Sequence, residues 1–192
     1  MALNQQFFAD LQTNPNNARI LERWEDVRLP DAWLVAGCLF QTVWNRLSGQ
    51  APDAGIKDYD LFYFDPSDLS AQSERAHEQA VQALFADLNI TLEVCNQARV
   101  HLWYEAHFGH PYPQLQSSQD GIDRFLVRCT CVGVRPGEVY APNGLGLLYA
   151  GELSMNPLTP HRALYESKAG SYQQRWPWLR HVPLIESAHG EV

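Results

Sequence analysis

The chain has no apolar run approaching the ~20 residues needed to span a bilayer. Its first residues, MALNQQFFADLQTNP, carry neither a basic stretch nor the apolar core of an export signal. From both, a cytoplasmic protein with no membrane partner is expected. Positive charge is also scarce, with 14 Lys and Arg against 22 Asp and Glu and a formal net charge of −8. That balance argues against extended nucleic acid as a partner, which needs a basic face, and leaves open a local basic pocket for one nucleotide. The four cysteines, Cys38, Cys95, Cys129 and Cys131, are too few for a disulfide framework in 192 residues and are read as reduced. Cys129 and Cys131 alternate with polar residues in FLVRCTCVGV, which predicts two small buried hydrophobes on one strand face beside Val127 rather than a metal pair. His101, His107 and His110 lack the spacing of a zinc set.

Apolar residues are plentiful. They make up 45% of the chain, with six Trp, eight Tyr and eight Phe, enough for a folded core. The length suits one domain: N-terminal helices over 1–30, a core over about 31–134 and a helical extension over about 141–192.

The chemistry concentrates in Trp33 to Asp65. Trp33 to Ala36 reads as a short buried strand. Gly37 permits a turn into a helix from about Leu39 to Leu47, whose apolar residues recur at helical spacing. Gly37 and Cys38 then lie at the helix N-terminus, where free N–H groups and the positive dipole end suit a phosphate. Lys57 to Phe64 alternates as a strand, placing Asp58 and Asp60 on one face and Tyr59, Leu61 and Tyr63 on the other. Two adjacent carboxylates repel each other unless something positive sits between them, and a hard divalent cation, Mg²⁺ or Mn²⁺, suits oxygen ligands of this kind. A phosphate turn and a carboxylate pair joined by one helix point to phosphoryl or nucleotidyl transfer.

Gly37-Cys38, a helix, then Asp58-Tyr59-Asp60 resembles the signature of the polymerase-β-like nucleotidyltransferase superfamily. More closely, the chain is similar to a bacterial nucleotidyltransferase-like family long catalogued as a domain of unknown function. This likeness runs through VAGCLFQTVWNRLSG, IKDYDLFYFD, LEVCNQARVHLWYEAHFG, CTCVGVR and APNGL. It implies an α+β fold, with a nucleotidyltransferase-like core of a small mixed β-sheet flanked by helices and a helical C-terminal extension. It also implies Mg²⁺-dependent transfer of an NMP group from a nucleoside triphosphate to an acceptor hydroxyl that the sequence does not name. Asp58, Asp60 and Glu93 are the implied catalytic and metal residues, with Gly37, Cys38, Lys57 and Arg99 binding the nucleotide. Two positions depart from the pattern. Cys38 stands where the superfamily more usually has Ser, and Gly146 stands where the family commonly has an acid. A nucleotide-binding or interaction module without turnover, and a metal-dependent phosphohydrolase, are therefore kept as alternatives.

The rest of the chain supplies the frame. Helices are expected over Leu3–Leu11 and Asn16 to about Val27, the second capped by Asn14 with Pro15 behind it; both are assigned to packing. Gly49 to Lys57 reads as a loop able to adapt to a ligand. A helix over about Ala71 to Leu88 leads to a strand over Ile90 to Val94, with Glu93 on its polar face. A helix over Asn96 to Phe108 carries Arg99, read either as a triphosphate ligand or as an ion-pair partner of Glu93 or another acid. Gly109 to Gly121 reads as a long loop. Phe125 to Val134 is expected as a strand, with Val139-Tyr140 returning as a hairpin and Arg128 free for an acid or a phosphate. Helices are expected over about Leu145 to Leu153 and from near Thr159. Tyr165, Tyr172, Trp176 and Trp178 are expected to pack the last one on the core.

Overall fold

Period-two alternation in the second strand and its parallel neighbour sets the architecture. In the computed structural model, which describes residues 2–183, the fold is α+β, with a five-stranded mixed sheet flanked by helices. The strands are β1 (Trp33–Val35), β2 (Asp58–Tyr63), β3 (Thr91–Asn96), β4 (Gly133–Arg135) and β5 (Glu138–Tyr140). They lie in the order β3-β2-β1-β4-β5, with β2 and β3 parallel and every other neighbouring pair antiparallel. Tyr59, Leu61 and Tyr63 of β2 and Leu92 and Val94 of β3 are buried in the main core. The helices on that side are α1 (Leu3–Leu11), α2 (Pro15–Glu22), α3 (Gly37–Leu47) and α4 (Ala71–Leu84). Trp33, Val35, Cys131 and Ile122 form a smaller cluster on the opposite face.

Among the described residues no helix is long and apolar enough to cross a membrane. The exposed edge of β3 is closed by side chains of α4. Gln82 Nε2 donates to the Ile90 carbonyl at 2.9 Å, and Gln82 Oε1 accepts from the Leu92 N–H at 2.9 Å. Glu74 Oε1 accepts from the Asn96 N–H at 3.0 Å. These bonds satisfy edge groups that could otherwise pair with another chain.

Several expected boundaries move. Asn14 does cap α2, accepting from the Asn16 and Asn17 N–H groups, but α2 ends at Glu22 and a 3-10 turn covers Trp24–Asp26. The expected helix over 96–108 breaks: β3 runs through Asn96, a 3-10 segment spans Gln97–Leu102, and α5 covers Tyr104–Phe108. Asn96 caps the 3-10 segment through its side chain, which favours an early tight turn over a continued α-helix. The loop over 109–121 contains the start of α6 (Ser118–Ile122). The expected strand from Phe125 reduces to β4, because Arg128–Thr130 forms a 3-10 turn. This turn separates the two cysteines: Cys129 enters the main core and Cys131 the smaller cluster, so they do not share one face. Arg128 is occupied by Asn143, its Nε donating to Oδ1 at 2.8 Å.

The C-terminal part comprises α7 (Gly146–Ala150), β6 (Glu152–Leu153), α8 (Arg162–Arg175) and β7 (Arg180–His181), with β6 and β7 paired in parallel. Tyr165, Tyr172 and Trp176 bury as expected, whereas Trp178 stays 37% exposed, its ring lying against Gly151. Trp44 of α3 contacts Trp176 and Tyr172 with ring centroids 5.2 and 5.3 Å apart. Asn45, fully buried, joins three segments. It accepts from Trp176 Nε1 at 3.1 Å and donates to the Pro52 and Ala54 carbonyls at 3.2 and 2.9 Å. The loop after α3, expected to adapt to a ligand, is thus pinned to the core, and Arg175 Nη2 adds a bond to the Ala54 carbonyl at 2.9 Å. Asn45→Ala strands a buried indole N–H and two carbonyls, and is expected to lower unfolding free energy by about 2–4 kcal/mol in a urea titration. A loss under about 0.5 kcal/mol would show that the network does not hold α8.

Candidate active site

Parallel pairing of β2 with β3 sets Asp60 directly beside Glu93, and alternation puts Asp58 on the same face two residues away. These three carboxylates line one cleft of about 410 Å³. The cleft also takes in Gly37 and Gln41 of α3, Phe62 and Cys95 from the sheet, and Lys168 of α8. Its charge is unbalanced. Asp60 is pushed up to about 7 by burial, by Asp58 and by Glu93, with Lys168 acting the other way. Glu93 is raised by burial, then by Asp58 and Glu78. A site in which carboxylates oppose one another is a common mark of function, since the sheet alone gains nothing from their repulsion. Among the described residues no three acidic, His or Cys side chains already converge on one point as a metal cage.

The turn into α3 differs in detail from its expected form. Ala36, not Gly37, takes the unusual backbone, with φ 61° and ψ −140°, and Gly37 is the first residue of α3. Such strain in a non-glycine residue collects at functional turns. At Gly37 a Cβ would meet Gln41 Nε2 at 2.4 Å, so glycine keeps space at the helix end. No side chain caps α3. Cys38 is fully buried, its thiol donating to the Val35 carbonyl at 3.2 Å. Burial first, then Asp60, push that thiol well above its ordinary range. Its side chain therefore faces the core, and only its peptide remains on the phosphate side of the expectation.

Two residues expected at the nucleotide lie elsewhere. Lys57 is exposed just before β2 and does not line the cleft. Arg99 is paired with Glu74, and its Nε donates to the Leu69 carbonyl at 3.2 Å. Of its two readings the ion pair holds, with Glu74 in place of Glu93, since Glu74 on α4 projects to the end of β3 where Arg99 emerges. Gly146 opens α7 and is absent from the cleft lining.

Other residues, to which the sequence assigned no part in the site, border it or back it. Lys168 lines the cleft and its charge acts on Asp60, and its position was detectable: it lies on α8 between Tyr165 and Tyr172, the one cation between those two rings. Three asparagines of the α2 cap brace the site from behind. Asn17 Nδ2 donates to the Cys38 carbonyl at 2.9 Å, and Thr42 Oγ1 donates to the same carbonyl at 2.7 Å. Asn16 Nδ2 donates at 2.9 Å to the hydroxyl of Tyr59, which in turn donates to Asn14 Oδ1 at 3.3 Å. Tyr59 sits between Asp58 and Asp60 in sequence and projects to the opposite face, so this network holds the strand that carries both carboxylates. α2 therefore does more than pack.

A solved structure whose description reads that the NMR structure "reveals a CCA-adding enzyme head domain" is similar, with a TM-score of 0.75 and 26% identity over 93% of this chain and 95% of that one. No curated protein matches. A family model described as "Nucleotidyltransferase" matches residues 22–181, which span β1 to β7 and with them Asp58, Asp60, Glu93 and Lys168. The chain belongs to this nucleotidyltransferase family.

Proposed function

We propose that the protein transfers an NMP group from a nucleoside triphosphate to an acceptor hydroxyl, in the cleft floored by Asp58, Asp60 and Glu93. The carrying observation is the cross-strand pair Asp60 and Glu93 beside Asp58, facing a cleft bounded by the uncapped end of α3 and by Lys168. The donor set fits a hard divalent cation such as Mg²⁺ or Mn²⁺: three carboxylates, oxygen only, with excess negative charge that burial makes costly. Mg²⁺ is commonly held by one or two carboxylates and completed by substrate phosphates and water. Asp58, Asp60 and Glu93 would hold the ion, which when bound offsets charge on the phosphate oxygens.

The side chains around it have separable tasks. Lys168 and the first N–H groups of α3 bind and orient the triphosphate tail. Glu93, raised in pKa and exposed, accepts the proton of the acceptor hydroxyl on a carboxylate oxygen. A bond forms between the acceptor oxygen and the α-phosphorus, the bond from that phosphorus to the bridging oxygen breaks, and pyrophosphate leaves. The Asn14, Asn16 and Asn17 network keeps β2 and the α3 turn in register while this occurs.

Asp58→Asn/Asp60→Asn is expected to lower nucleotide-dependent pyrophosphate release by about 100-fold or more with the fold retained, and Lys168→Ala to weaken triphosphate binding by about 10-fold. Nucleotide binding without pyrophosphate release, across a panel of acceptors, would instead favour a binding module; release of inorganic phosphate would favour a phosphohydrolase. Stability carries a second signature. In metal-free protein native Asp60 keeps its proton up to about 7, while the unfolded chain releases it near the ordinary carboxylate value of 3.8. The native state thus binds more protons across that window, so stability is expected to fall as pH rises through it and to level above about 7. Asp60→Asn is expected to flatten this slope and to add on the order of 2 kcal/mol at pH 8, read by urea unfolding in chelator. An unchanged slope would remove the charge conflict assigned to Asp60.

A further inference from the structure

The far end of the cleft has a different chemistry. Beyond Glu93 the lining takes in Cys95 and Gln97 and reaches Trp103, Tyr104, Phe108 and Tyr112, with Arg124 beside Tyr112. The break between the 3-10 segment and α5 falls at Trp103, whose backbone (φ −129°, ψ −19°) is not helical. Tyr104 and Tyr112 pack ring to ring, with centroids 4.2 Å apart. Trp103 has no such partner: its aromatic neighbours sit 6.1 to 6.3 Å away, all tilted or edge-on. Phe108 lines the same wall and is 39% exposed. Phe108 packs on Tyr104 and His107, with centroids 4.6 and 4.5 Å apart, and still leaves part of its ring in water, so with Trp103 it offers an aromatic face to a flat ligand.

Arg124 is held only loosely. Its guanidinium lies 5.8 Å from the centre of the Tyr112 ring, and its hydrogen bond is a long one, 3.5 Å, to the Leu158 carbonyl. Among the described residues it forms no ion pair. A guanidinium only donates, so it pairs with a ring edge that offers two acceptors, O6 and N7 of guanine or O2 and N3 of cytosine, and poorly with the mixed edge of adenine; of the two, guanine has the larger ring to cover the aromatic face.

We propose that Trp103 and Phe108 stack the base of the nucleotide and that Arg124 reads its edge, making this a guanine-preferring base subsite. This rests on the nucleotidyl-transfer reading, which puts the phosphates at the Lys168 end. The remaining length of one cleft of about 410 Å³, within the size range of a single small-ligand site, then runs along β3 to the aromatic wall.

Titration calorimetry with Mg²⁺ and four probes, inorganic tripolyphosphate, GTP, ATP and CTP, separates the two ends. GTP is expected to bind at least about 10-fold more tightly than tripolyphosphate, and more tightly than ATP or CTP. Phe108→Ala and Trp103→Ala are expected to weaken GTP by about 5- to 150-fold while leaving tripolyphosphate within about twofold, with Trp103→Phe restoring much of the loss. Arg124→Gln is expected to bring GTP and ATP to equal affinity. Nucleotides binding no better than tripolyphosphate, or both weakened alike by Phe108→Ala, would overturn the subsite while the phosphate end stands. Equal GTP and ATP affinity in the wild type would overturn the edge reading. No binding of any probe would overturn the nucleotidyl-transfer reading and the subsite with it.

Discussion

Everything at the site depends on one register, the parallel pairing of β2 with β3. Tyr59, Leu61, Leu92 and Val94 must enter the main core, and because side chains alternate, burying them turns Asp58, Asp60 and Glu93 outward on the other side. A one-residue slip of either strand would send its carboxylates into the core. The charge conflict is therefore an outcome of hydrophobic burial: the apolar face sets the register, and the register brings Asp60 beside Glu93. The cost appears in Asp60, held neutral to about 7.

The helices maintain that arrangement by distinct means. α4 protects the β3 edge through Gln82 and Glu74, and Glu74 is itself held by Arg99. α2 works from the core side, with asparagine side chains satisfying the Cys38 carbonyl and the Tyr59 hydroxyl. These polar bonds are buried or part-buried, where an unpaired partner would be costly, so they fix positions more sharply than apolar contact alone. The strained backbone of Ala36 persists in that setting, between β1 and the braced first turn of α3.

Much of this was legible in the residues. Alternation in KDYDLFYF and ITLEV identified both strands and their acidic faces, and Asn14-Pro15 marked a true helix cap. Local periodicity carries no information about which distant side chain meets which. Arg99 near the acidic strand could serve a phosphate or an acid, and only the approach of α4 gave it Glu74. Lys168 stood 108 residues after Asp60, in a helix whose aromatic stripe explained itself as packing. Phe125 to Val134 looked extended because apolar residues alternate there, yet Thr130 Oγ1 donates to the Val127 carbonyl at 2.7 Å and favours a local turn. The 96–108 stretch failed similarly, since Asn96 can cap a new turn as readily as it can end a strand.

The C-terminal extension is more than an appendage to the catalytic core. Its one charged contribution to the cleft, Lys168, is exposed on α8, so its effect on Asp60 depends on where α8 lies. That position is set by Tyr165, Ala169, Tyr172 and Trp176, all buried, and by the indole of Trp176 donating to Asn45. Asn45 and Gly37 belong to one helix. α3 therefore presents its N-terminus to the cleft and, two turns later, anchors the helix that brings the cation opposite. Packing one tryptophan against α3 thereby couples the two positive elements of the site, a dipole end and an ammonium, across a floor that is wholly negative.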